Sequence, residues 1–99
     1  MTFRGFFAFV TIFSSLSAVA GEVSTLVAEC AACHGVDGMG KDIEIPNLAG
    51  QQERYLYLQL QNFKSGKRPH KEMRYESRHL SDEEMRDMSH YFAQLPAVR

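Results

Sequence analysis

Apolar residues recur at helical spacing in three stretches of the chain. The first stretch covers residues 22–33, the second covers residues 51–65, and the third begins at Ser81 and Glu84. Ser81 and Glu84 have the S-x-x-E spacing of a capping box, and Gly66 predicts the end of the second helix. Each stripe predicts an amphipathic helix with one buried face. The stripes are Val23, Leu26, Val27 and Cys30, then Leu56, Leu60 and Phe63, and finally Met85, Met88, Phe92 and Leu95.

Residues 1–20 have the pattern of an export signal. Arg4 is their only charge, residues 6–16 are mostly apolar, and residues 18–20 read Ala-Val-Ala, which is an A-x-A cleavage site. The pattern predicts a signal peptide cleaved before Gly21, a periplasmic product, and one domain over residues 21–99 without stable membrane insertion. The alternative is an uncleaved membrane anchor, for which three serines in residues 14–17 are unfavourable.

Cys30 and Cys33 are the only two cysteines, and His34 follows the second directly, which gives the C-x-x-C-H signature of c-type haem attachment. On a helix, the two thiols stand one turn apart and His34 lies on the same side. Both sulfurs could then add to the vinyl groups of one haem, while the imidazole ligates its iron. We therefore predict one covalent haem c held by these three residues.

Three other readings of the two cysteines are open. A structural zinc site needs four ligands, and the remaining histidines, His70, His79 and His90, do not have zinc-site spacing. A thioredoxin-type dithiol or a structural disulfide would explain the cysteines, but neither needs His34.

Pro46 and Tyr55 are further candidates for the cofactor site. Proline has no N–H, so its carbonyl is its only hydrogen-bonding group, and an iron-bound imidazole normally donates its second ring N–H to such an acceptor. We predict that the Pro46 carbonyl accepts from His34, although a plain turn before the next helix explains Pro46 equally well. Tyr55 could pack on the haem with its aromatic ring, or it is an ordinary half-buried tyrosine.

Met73 is the candidate for the second axial ligand. It lies in a strongly basic stretch, residues 64–79, which we predict to be a polar loop because Pro69 interrupts any continuous helix. A thioether among charges has no core to fill, and methionine ligation raises the reduction potential of a haem. His70 and His79 are the rival ligands and would give a bis-histidine centre.

These motifs together resemble those of class I c-type cytochromes, in particular the small bacterial monohaem members and either half of the bacterial dihaem cytochromes. In that family the ligand methionine lies seven residues before the leucine that precedes the last helix, which here selects Met73 before Leu80. The sequence departs from the family at Glu76, where an apolar residue is usual. The matching residues are 30–38, 46–51, Tyr55, Leu56, Gln59, Leu60, 63–66, 80–83, Tyr91 and Phe92.

The resemblance implies an all-α class I cytochrome c fold with three to four short helices around one covalently bound haem. It also implies that the first and last helices cross with Tyr91 at the contact, and that Leu48 touches the haem. The expected function is one-electron transfer rather than enzymatic catalysis, because both axial positions of the iron are filled. The alternatives are a five-coordinate or bis-histidine haem protein with a ligand-binding, sensing or peroxidase-like role, or a haem subunit of a larger redox enzyme.

The charge distribution bears on the partners. The whole chain has 11 basic and 12 acidic residues, yet residues 64–79 carry six basic residues against Glu72 and Glu76. Such a cluster would steer an acidic redox protein to the haem edge, or it is simply a solvated surface. The expected partners are membrane oxidoreductase complexes, terminal oxidases or periplasmic reductases. Export and overall acidity argue against nucleic acid.

Overall fold

The computed structural model describes residues 2, 5, 7–11 and 16–97, and its regular structure is entirely helical over that part of the chain. Four helices follow one another: α1 (Leu16–His34), α2 (Glu53–Ser65), α3 (Lys71–Ser77) and α4 (Asp82–Gln94). The predicted all-α class and the number of helices are confirmed.

Helix α1 begins earlier than the sequence pattern indicated. We predicted a start at Glu22, after the signal segment, whereas the structure begins the helix at Leu16. The difference arises because small and apolar residues such as Ala18 and Ala20 are compatible with a helix whether or not they belong to a cleavage site. The signal peptide remains a prediction, and residues 1, 3, 4, 6 and 12–15 of it lie outside the described residues. Where the structure describes the chain, no helix is long and apolar enough to cross a membrane.

Helix α4 provides two of the four residues of the core cluster. Its predicted capping box is present, since the Ser81 hydroxyl accepts from the Glu84 N–H at 3.1 Å and the Glu84 carboxylate accepts from the Ser81 N–H at 2.9 Å. The predicted stripe is buried at Met85, Met88 and Phe92, while Leu95 follows as the C-cap. The core cluster joins Leu26, Leu80, Met85 and Met88, with Val23, Val27, Cys30, Tyr57 and Leu60 packed around it.

A polar cluster on the surface ties α2 to the start of α4. The Tyr57 hydroxyl donates to Asp82 and accepts from the Gln61 amide at 2.9 Å. The Arg86 guanidinium donates to Asp82 at 2.8 Å and lies 4.7 Å above the Tyr57 ring. Hydrogen bonds from Arg86 and Tyr57 hold the pKa of Asp82 below its usual value, so this carboxylate stays ionised in mildly acidic solution.

Helix α3 lies where the sequence indicated only a polar loop, so that prediction is wrong for residues 71–77. Helix α2 ends at Gly66, whose φ of 82° is in the left-handed region that glycine adopts readily. The chain then passes Pro69, and His70 caps a new helix of seven residues. Pro69 therefore separates two helices instead of excluding a second one.

The helices make only some of the possible contacts with each other. Helix α2 packs against both α3 and α4, and α1 packs against α4. Among the described residues α1 and α3 do not pack directly on one another. The side chain of Lys64, which donates to the Leu80 carbonyl, joins the end of α2 to the segment that leads into α4.

Removing the cap of α4 should destabilise the whole domain. We expect Ser81→Ala to lower the free energy of unfolding by about 1 kcal/mol, because the Glu84 N–H loses its acceptor. In a domain of this size that corresponds to a fall of about 4–8 °C in Tm. The control is Ser24→Ala, at an exposed serine of α1, which should change stability by less than about 0.5 kcal/mol. Equal Tm values for the two variants in thermal unfolding would contradict the assignment of the cap.

Candidate functional site

The last turn of α1 presents the two cysteines. Cys30 is half-buried against the core cluster, and Cys33 is exposed to solvent. Both thiols are free in the structure, so no disulfide joins them. Burial raises the pKa of the Cys30 thiol to about 11, and the negative charges of Glu29 and Glu76 add to this effect. The two sulfurs are thus available for covalent attachment, one at the core and one at the surface.

His34, the last residue of α1, is buried, with 8% of its surface exposed. Its Nδ1 lies 2.9 Å from the carbonyl oxygen of Pro46. Because that oxygen can only accept, Nδ1 carries the proton and Nε2 keeps its lone pair. No buried side-chain nitrogen or oxygen in the described part of the chain lacks a partner. Nε2, which makes no hydrogen bond there, is consequently accessible to a ligand.

The loop of residues 35–50 folds back on itself to bring Pro46 over His34. The carbonyl of Gly38 accepts from the N–H groups of Leu48 and Ala49 at 2.7 and 3.1 Å, and the Asn47 side chain accepts from the Gly40 N–H at 2.7 Å. A Cβ on Gly40 would lie 1.9 Å from the Ile45 carbonyl oxygen, so no other residue fits there without moving the loop.

Two hydrogen bonds connect this loop to α4. The Tyr91 hydroxyl donates to the Val36 carbonyl at 2.8 Å, and the Gly50 N–H donates to the Phe92 carbonyl at 3.2 Å. Tyr91 therefore joins the last helix to the residues that directly follow the first. The histidine side of the site is held by both α1 and α4.

Met73 lies in the first turn of α3 and is half-buried. Glu76 follows it by three residues and shares its side of the helix. The negative charge of Glu76 contributes to the rise in the pKa of the Cys30 thiol. In the described part of the chain α1 and α3 do not pack on one another, so the cysteines and Met73 stand on separate helices.

The structure shows no contact that assigns a role in the site to the other predicted residues, Leu48 and Tyr55. Leu48 is half-buried, and its N–H belongs to the loop hydrogen bonds. Tyr55 is 44% exposed. Nδ1 of His70, one of the rival ligands, accepts instead from the Met73 N–H at 3.2 Å, and the other rival, His79, is exposed.

The sequence interpretation overlooked the two side chains that bond to the Met73 backbone, which are His70 and Ser77. The Ser77 hydroxyl donates to the Met73 carbonyl at 2.6 Å from a fully buried position. The sequence indicated this bond only by the i, i+4 spacing of Met73 and Ser77. That spacing brings a serine hydroxyl to the carbonyl four residues earlier only if residues 71–77 are helical.

The donor set fits a haem better than a bare metal ion. Within residues 16–97 and the short described pieces before them, no three His, Cys, Asp or Glu side chains come together as a metal site. The structure instead offers two free thiols one turn apart, one imidazole nitrogen with an open lone pair, and a thioether on a separate helix. A c-type haem needs two thiols for its covalent attachment, and its iron takes nitrogen and sulfur ligands at the two axial positions.

Comparison with known proteins agrees with this donor set. The family model described as cytochrome c matches residues 19–96. The chain belongs to the cytochrome c family. Its cofactor is accordingly covalent haem c with iron, and its fold is that of a class I cytochrome c.

The relatives of this cytochrome differ in length. Cytochrome c4 of Pseudomonas aeruginosa is 45% identical over 76 residues, which are 77% of this chain but 37% of the relative. Cytochrome c-554(548) of Halomonas halodenitrificans is 35% identical over 79 residues, and the match covers 77% of this chain and 93% of that protein. The crystal structure of reduced recombinant cytochrome c4 from Pseudomonas stutzeri superposes with a TM-score of 0.66 at 28% identity, covering 81% of this chain and 50% of that chain. This cytochrome is therefore similar to one half of a dihaem cytochrome.

Glu76 should lower the reduction potential of the haem. A carboxylate three residues after Met73, the predicted axial ligand, favours ferric iron, which carries one more positive charge than ferrous iron, so Glu76→Gln should raise the potential by about 30 mV. Glu83→Gln is the control, because Glu83 is an exposed acid of α4 that forms no ion pair in the described part of the chain. Redox titration checks the shift, and equal potentials for the two variants would show that Glu76 does not face the haem.

Proposed function

We propose that this cytochrome is a periplasmic one-electron carrier with a single haem bound at Cys30 and Cys33, His34 as one axial ligand and Met73 as the other. The observation that carries the proposal is the 2.9 Å hydrogen bond from His34 Nδ1 to the Pro46 carbonyl. This bond selects the tautomer with a free Nε2 in the same helical turn as two unpaired cysteines.

Each residue has a separate task in this proposal. Cys30 and Cys33 fix the haem edge to α1, so the cofactor cannot dissociate during repeated turnover. Pro46 orients the His34 ring and increases its basicity through the hydrogen bond. Met73 contributes the thioether, a soft ligand that favours the ferrous state and raises the potential. When bound, the haem supplies the redox couple, with iron cycling between the ferric and ferrous states.

Electron transfer is favoured over catalysis because two protein ligands fill the axial positions and leave none for a substrate. The pattern of residues 1–20 supports export to the periplasm, where covalent haem attachment takes place in bacteria. The likeness to cytochrome c4 and cytochrome c-554(548) supports the same role, as both are named as cytochromes.

The basic residues near Met73 support an acidic protein as redox partner. All six of them are exposed: Lys64, Lys67, Arg68, Lys71, Arg74 and Arg78. Arg68 is tied down, because it donates to the Gln59 side chain at 2.8 Å and lies 4.7 Å above the Phe63 ring. Lys67 and Lys71 form no ion pair in the described part of the chain, so their charges face solvent and are free to attract a partner. Such partners include membrane oxidoreductase complexes, terminal oxidases and periplasmic reductases.

Met73→Ala should abolish the spectroscopic signature of methionine ligation. The wild-type ferric protein is expected to show the weak far-red absorption band of a thioether-ligated haem, and the ferrous protein should resist carbon monoxide. The variant should lose the band and bind carbon monoxide, because one axial position becomes open. Met39→Ala is the control, since Met39 lies in the loop of residues 35–50 and should leave the band intact.

Three results would contradict the proposal. A secreted protein without the added mass of one haem would exclude covalent attachment, and a wild-type protein that lacks the band and binds carbon monoxide would indicate a five-coordinate haem with a ligand-binding or peroxidase-like role. A bis-histidine centre would also lack the band but would not bind carbon monoxide readily.

Electron exchange with an acidic partner should depend on ionic strength. We expect the second-order rate to rise about tenfold between high and low salt, because unscreened charges increase the encounter rate. Lys67→Glu/Lys71→Glu should remove this dependence in stopped-flow measurements. Lys41→Glu/Arg54→Glu makes the same change of charge outside the basic cluster. This control should keep most of the dependence of the rate on ionic strength. Rates insensitive to salt and to both double variants would rule out electrostatic steering.

A further inference from the structure

Helix α3 is too short to hold a ligand by itself. It has seven residues, and isolated helices shorter than about 12 residues are marginal in water. The position of Met73 therefore depends on contacts beyond the helical backbone bonds. Two side chains, one just before the helix and one at its last residue, bond directly to the backbone of Met73.

The first of these side chains is His70, the N-cap of α3. Its backbone is extended, with φ −164° and ψ 119°, and its Nδ1 accepts from the Met73 N–H at 3.2 Å. The imidazole ring also packs edge-on against Phe63, with ring centroids 6.0 Å apart, and Phe63 is buried in α2. The imidazole of His70 thereby connects the Met73 N–H to Phe63, a buried residue of α2.

The second is Ser77, which is completely buried. Its hydroxyl donates to the Met73 carbonyl at 2.6 Å and lies 3.5 Å from the Arg74 carbonyl. A buried hydroxyl is costly unless it is satisfied, and alanine would be the better helix former at this position. The serine is explained by the bond that it makes to the peptide group of Met73.

We propose that His70 and Ser77 are positioning residues for the sixth haem ligand, holding the N–H and the carbonyl of Met73 so that its thioether is placed before it binds. This inference rests on the proposed function, in which Met73 ligates the iron. A ligand that is already positioned loses less conformational freedom on binding, and it is harder for a competing ligand to displace. Loosening either bond should lower the fraction of protein with Met73 bound, without removing the thioether itself.

Imidazole binding to the ferric protein measures that fraction, because imidazole competes with Met73 for the iron. Ser77→Ala should tighten the apparent binding of imidazole roughly five- to tenfold and weaken the far-red band, since each lost bond shifts the ligand equilibrium by about that factor. The chain offers a matched control in α4, where the buried Ser89 hydroxyl donates to the Met85 carbonyl at 2.7 Å. Ser89→Ala removes the same kind of bond to a methionine away from the haem ligands. It should lower the unfolding midpoint but leave imidazole binding unchanged.

A second pair of variants keeps the test decisive if Ser77→Ala does not fold. His70→Ala removes the acceptor for the Met73 N–H and should tighten imidazole binding several-fold. His70→Asn supplies a side-chain oxygen at the N-cap and should restore most of the wild-type value. Imidazole affinity equal in all four variants, with the far-red band of the wild type present, would overturn this inference alone. A wild type without the band would overturn both the inference and the proposed ligation.

Discussion

The hydrogen bond between His34 and the Pro46 carbonyl is the constraint around which this cytochrome is built. It joins the end of α1 to a residue 12 positions later, so the whole loop between them must fold back on itself. That requirement accounts for the close approach of Gly40 to Ile45 and for the repeated use of the Gly38 carbonyl as an acceptor. It also leaves Nε2 of His34 as the nitrogen with a free lone pair. Local backbone chemistry thus determines which atom faces the cofactor.

The two sides of the site are built differently. On the histidine side, a tight loop within residues 35–50 fixes the groups, and two hydrogen bonds to α4 support that loop. On the methionine side, Met73, the proposed ligand, stands on a helix of seven residues that contacts α2 through the ring of His70 against Phe63. The methionine side has fewer supports of its own, so it is where a substitution most readily changes ligation.

The features that could be predicted from the sequence are those encoded by residues close together in the chain. The capping box at Ser81, the end of α2 at Gly66 and the haem motif at Cys30 are each encoded within a few positions, and all were recognised. Helix α3 was missed because its stability comes from His70 and Phe63, which are brought together only in the folded chain. The cluster of Tyr57, Asp82 and Arg86 escaped notice for the same reason. The helical signal before Gly21 was obscured because signal peptides and helices favour the same residues.

The bond from the Gly50 N–H to the Phe92 carbonyl connects the far end of the His34 loop to α4. A Cβ on Gly50 would also lie 2.8 Å from the Cβ of Ala97, so the last described residues close over this junction. Loss of the contacts at Gly50 would therefore loosen the loop that carries the Pro46 carbonyl. We expect residues 92–97 and this loop to exchange their amide hydrogens as one unit.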